Sequence, residues 1–134
     1  METNDVKMSY ARCLMHEDFF GLFYDIFMNS NPQVRAKFEK TDFVKQKHLI
    51  RHGINLIIMY AHGDLAGQLG LERIRKSHSK AQLDIAPQHY ATWKAAFLQA
   101  LRQADPKFNQ ALEQQWHETL DKGINFISGG YEQA

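Results

Sequence analysis

A chain of 134 residues, 44% of them hydrophobic, is long enough to bury the core of one domain and too apolar to remain disordered. Its formal net charge of +1 lacks the basic excess of a nucleic-acid binder, so no nucleic-acid partner is expected. Cys13 is the single cysteine, which excludes an intramolecular disulfide and a cysteine-built zinc site and suits a reducing compartment.

The opening residues, Met1 to Asp5, are polar and acidic and lack the apolar run of a signal peptide. The longest apolar stretch, Leu56 to Ala61, is far too short to cross a bilayer. These features predict a soluble, cytoplasmic protein with no membrane partner, in which residues 1–134 form a single domain.

The three prolines, at 32, 87 and 106, fall between segments of helical periodicity. A first, weakly defined helix is expected over residues 5–15 and a second over 16–29, with Phe20, Phe23, Tyr24 and Phe27 as its inward stripe. The second stops before Asn31-Pro32, because a residue preceding proline disfavours helical geometry. A short helical turn over 32–37 leads to Phe38. Asp42 caps the next helix, over 43–62, where Phe43, Gln46, Ile50, Ile54, Ile57 and Ala61 share a face, and Gly63 ends it.

Residues 64–70 read as loop or loose helix, and 70–80 as a helix with Leu71, Ile74 and His78 on one face. Pro87 sits at the first position of a long helix with the seam Tyr90, Trp93, Phe97 and Leu101. Asp105-Pro106 starts the last helix, along which Phe108, Leu112, Trp116, Leu120, Ile124 and Ile127 repeat until Gly129-Gly130. The expectation is an all-α fold of six to seven helices with no sheet.

Three groups of residues carry a resemblance. Phe23-Tyr24-Asp25, then Asn31-Pro32, then Phe38 resembles the haem domain of bacterial flavohaemoglobins. His78 followed by Pro87 and Tyr90 resembles the proximal motif of bacterial globins, with spacing closer to the globin domains of oxygen sensors. Thr41-Asp42, Gln46, Trp93, Asp105-Pro106 and Trp116 fit the sensor branch as well. The resemblance spans almost the whole chain and implies a globin fold around haem b, iron protoporphyrin IX.

It further implies that His78 is the axial iron ligand, a role that neutral imidazole suits. The other ring nitrogen needs an acceptor, expected to be a main-chain carbonyl one turn back. On the resemblance, Phe38 packs flat on the porphyrin and Tyr24, as the distal tyrosine, offers a hydrogen bond to a bound diatomic ligand. Tyr90 belongs to the proximal side.

The second distal residue has three readings. The flavohaemoglobin frame places His48 and His52 over the haem, the animal-globin frame makes His52 the gate beside Leu56, and the truncated and sensor frame uses Gln46 with Leu49 and Ile50 lining the pocket. The apolar stripe favours the third, because the first buries Lys45 without a partner. An inward His48 or His52 would compete for the sixth iron position. Arg73, Arg75, Lys76 and Lys80, around His78, form a solvated face from which one or two could pair with haem propionates.

The implied function is reversible binding of dioxygen or another diatomic gas, CO or NO, by a monomer or homodimer. The alternatives are nitric oxide dioxygenation with an external reductase, a gas-sensing module acting through a partner, and a haem-free helical interaction protein. The chain departs from flavohaemoglobins in lacking the last-helix glutamate that completes a relay with the tyrosine matching Tyr90; the same interval here reaches Gly129-Gly130-Tyr131.

Overall fold

The computed structural model of the chain describes residues 2–132. Among them the fold comprises α1 (Glu2–Leu14), α2 (Phe19–Ser30), α3 (Pro32–Lys37), α4 (Phe43–Ala61), α5 (Leu65–Ser77), α6 (Gln88–Ala104) and α7 (Gln110–Ser128), with no strand. The all-helical expectation holds. None of these helices is long and apolar enough to cross a membrane.

Five helices begin at a side-chain cap. Asp18 accepts from Gly21 N–H, Asn31 from Gln33, Asp42 from Val44 and Lys45, Asp64 from Ala66, and Asn109 from Leu112. Each such cap contributes about 1 kcal/mol by satisfying a backbone donor that the helix leaves open. Capping also moves three expected helix starts. The second helix starts at Phe19 rather than at residue 16, because Asp18 is its cap.

The stretch 64–70, expected as loop, is the first half of α5. Its glycines mark close helix contact instead of a break. A Cβ at Gly67 would stand 2.5 Å from the backbone nitrogen of Tyr60, and one at Gly70 would stand 2.5 Å from Leu56 Cδ2. The far end of α5 is earlier than expected: the helix stops at Ser77, and His78 is its C-cap.

The third boundary concerns Asp105-Pro106, which does not start the last helix. Asp105 is the C-cap of α6 and is 2% exposed, with Asn109 taking over as the cap of α7. The Asp105 carboxylate accepts from Ser9 Oγ at 2.6 Å, from Arg12 Nε at 2.6 Å and Nη2 at 3.0 Å, and from Lys107 N–H at 2.9 Å. Trp116 Nε1 donates to Ser9 Oγ at 3.0 Å. This cluster ties α1 to the α6–α7 junction.

Trp116, Phe23, Phe97, Ile54, Leu71, Leu101 and Leu120 are fully buried. Burying side chains of this size stabilises the fold by roughly 1.5–3 kcal/mol each. The α2–α6 contact is aromatic: Phe23 meets Trp93 at 5.7 Å and Phe97 at 5.6 Å, and Trp93 stacks on Phe97 at 5.3 Å and 4°. This contact positions Tyr24 on α2 relative to Tyr90 on α6.

Candidate functional site

His78 lies where the chain leaves α5. Its N–H donates to the Ile74 carbonyl at 2.9 Å, and the same carbonyl accepts from Ser77 Oγ at 3.0 Å. Both lone pairs of that oxygen are therefore taken, so it cannot also serve the His78 ring. The expected main-chain acceptor one turn back is thus replaced: His78 Nδ1 lies 3.0 Å from Tyr90 Oη. The chain returns to make this contact, with Ile85 N–H bonded to the His78 carbonyl at 3.1 Å before α6 begins. The two rings lie 6.3 Å apart at 30°.

Burial lowers the His78 pKa below its ordinary value, so the imidazole is neutral at pH 7. Burial also pushes the Tyr90 phenol up to about 12, which keeps it protonated. A neutral imidazole has one N–H. In the tautomer whose Nδ1–H donates to Tyr90, Nε2 carries the lone pair. Among the described residues, Nε2 takes part in no hydrogen bond.

Tyr24 is 3% exposed and accepts from Gln46 Nε2 at 3.1 Å. Burial pushes the Tyr24 phenol up to about 12, with the Gln46 bond opposing part of the rise. Because the phenol oxygen acts as acceptor here, its own O–H remains uncommitted among the described residues. Phe23, Phe43 and Phe38 surround the Tyr24 ring at 4.9, 5.4 and 5.7 Å. Phe38 is the half-buried C-cap of α3 and also touches Phe27 and Phe43. From sequence, Phe43 is only part of the inward stripe; the structure adds it to this site, placed there by the Asp42 cap at the start of α4.

The rest of α4 follows the same geometry. Gln46 is half-buried and Ile50 is buried, whereas Lys45, His48, Arg51 and His52 are exposed. Leu49 is 54% exposed. Further along α4, the buried Leu56 is covered by α5 through Gly70.

The two pairs are joined through the core. Tyr24 packs on Phe23, Phe23 on Trp93, and Trp93 lies one turn beyond Tyr90 on α6. Arg75 turns away from this region, donating to the Phe126 carbonyl at 2.7 Å with its guanidinium 4.9 Å from the Phe126 ring centre. Arg73, Lys76 and Lys80 are exposed, and His89 is half-buried beside Tyr90. Chemically, the arrangement presents an imidazole nitrogen outside any hydrogen bond, which is a lone-pair donor in the tautomer whose Nδ1–H faces Tyr90, and a second, buried phenol with a free donor.

A solved structure from Pseudomonas aeruginosa, of a protein described as structurally highly homologous to a human hemoglobin, matches this chain with a TM-score of 0.93. The two are 38% identical, and the match covers 98% of this chain and 99% of that one. No family model matches the chain, and no curated protein does.

Proposed function

The chain belongs to the bacterial globins and has their fold, and on that premise we propose that it holds haem b and reversibly binds dioxygen or another diatomic gas. The reading is carried by two polar atoms without protein partners among the described residues, Nε2 of His78 and the hydroxyl proton of Tyr24. One is the donor atom that an axial ligand needs, and the other is the hydrogen-bond donor that a polar diatomic ligand needs.

When bound, haem supplies a ferrous iron that takes up diatomic gases. His78 would hold it through Nε2, with Tyr90 fixing the tautomer and ring direction. Phe38, Phe43 and Ile50 offer apolar contact for the macrocycle, and the exposed Leu49 offers it at the rim. Gln46 holds the Tyr24 oxygen and so directs the phenol proton away from itself, toward a ligand. His48 and His52 are exposed on α4, and neither bonds to Tyr24, whose oxygen is held by Gln46.

The partnering of Tyr90 favours ligand binding over oxidative chemistry. Its hydroxyl meets His78, and no carboxylate among the described residues completes a relay. Titration of the haem-free protein with haemin tests the reading. A Soret band is expected for wild type and His89→Ala and not for His78→Ala. A wild type without the band would overturn the proposal.

A further inference from the structure

His78 stands at the end of α5, so the helix supports it on one side only. The chain beyond it forms a loop bonded to itself. Leu83 N–H donates to the Ser77 carbonyl at 3.0 Å, Asp84 N–H to the Ser79 carbonyl at 2.9 Å, and Ile85 N–H to the His78 carbonyl at 3.1 Å. One residue in the turn after α7 then holds both limbs of this loop. The Tyr131 carbonyl accepts from Lys80 N–H at 2.8 Å, and the Tyr131 hydroxyl donates to the Asp84 carboxylate.

That turn is itself fastened to the last turn of α5. Arg75 donates to the Phe126 carbonyl, and Gly130 packs so closely on Arg75 that a Cβ would stand 2.3 Å from its Cγ. Asp84 has a φ of 55°, a left-handed conformation that glycine adopts with less strain. A glycine there would lack the carboxylate that meets Tyr131. Strain retained at a residue whose side chain is so engaged points to a use for that side chain.

We propose that Tyr131 and Asp84 are positioning residues for His78, forming a clasp that fixes the loop after it and thereby the direction of its ring toward the haem. The clasp rests on the haem reading above. It acts through the backbone: Tyr131 spans Lys80 and Asp84, the loop between them closes onto the carbonyls of Ser77, His78 and Ser79, and the His78 ring is left to be steered by its own main chain and by Tyr90.

Three variants separate this role from a merely local one. Tyr131→Phe removes only the hydroxyl. Asp84→Gly relieves the backbone but removes the acceptor. Asp84→Asn keeps an acceptor oxygen and tolerates the left-handed region. In the haem-free chain, amide hydrogen exchange at Leu83, Asp84 and Ile85 should quicken roughly three- to tenfold in Tyr131→Phe and Asp84→Gly and stay unchanged in Asp84→Asn.

In the ferrous haem-loaded protein, the iron–histidine stretching band in the resonance Raman spectrum should shift in the first two variants and hold in the third. Unchanged exchange in Tyr131→Phe, or a neutral Asp84→Gly, would overturn the clasp. So would faster exchange with an unmoved band, because the loop would then be held without setting His78. A wild type that binds no haem would instead overturn the reading of the site, and the role with it.

Discussion

The cluster of Ser9, Arg12, Asp105 and Trp116 and the pairs Tyr24–Gln46 and His78–Tyr90 are built alike, from polar side chains bridging helices that are distant in sequence. They differ in what is left over. In the first, both carboxylate oxygens of Asp105 are taken, and Ser9 both donates and accepts. In the second, an imidazole nitrogen and a phenol proton remain without partners among the described residues. A closed polar cluster holds helices together, whereas an open one is available to a ligand.

The comparison is most severely tested at Asp105. Asp105→Ala leaves Ser9 and Arg12 without their acceptor and should destabilise the fold by about 2–4 kcal/mol, less than for a fully buried pair because Arg12 is partly exposed. Urea denaturation measures this. The haem spectrum of the variant fraction that folds should match wild type.

Acid tests the same residue. Burial raises the Asp105 pKa, but the hydrogen bonds from Arg12, Ser9 and Lys107 N–H more than offset it, and the group lies below the usual carboxylate range. With the folded-state value depressed, the stabilisation is complete above the unfolded value of about 3.9 and is lost as pH falls through the folded one. Urea midpoints measured across that range should drop in wild type and drop less in Asp105→Asn.

The open pairs should respond in ligand release and hardly in stability. Tyr24→Phe removes the free donor and should speed oxygen dissociation about tenfold, the size of one hydrogen bond to a partly charged ligand. Stopped-flow displacement of oxygen by CO measures it, and an unchanged rate would remove Tyr24 from its role. Gln46→Leu acts only by loosening the Tyr24 phenol, so its effect in the same measurement should be roughly two- to threefold.

The two regions were unequally legible. Residues sharing a helical face could be read from spacing, which is why Tyr24 among its phenylalanines, Gln46 with Ile50, and His78 after Leu71 and Ile74 all emerged from the chain alone. Interactions set by distant contacts could not be read in this way. Asp105-Pro106 carries the local signature of a helix start, yet its carboxylate is claimed by Ser9 and Arg12 from the other end of the chain. Gly67 and Gly70 look like breakers until Tyr60 and Leu56 are packed against them. The acceptor for His78 depended on Ser77 having already filled the Ile74 carbonyl.

On the haem reading, His78 supplies one nitrogen ligand and Tyr24, away from it, a donor with no competing ligand. The absorption spectrum of the ferrous haem-loaded protein, before and after CO, tests this directly. A five-coordinate high-spin ferrous spectrum that CO converts completely to the six-coordinate form is expected. A six-coordinate low-spin spectrum before any gas is added is the opposite result, since a side chain such as His48 or His52 would then hold the sixth iron position.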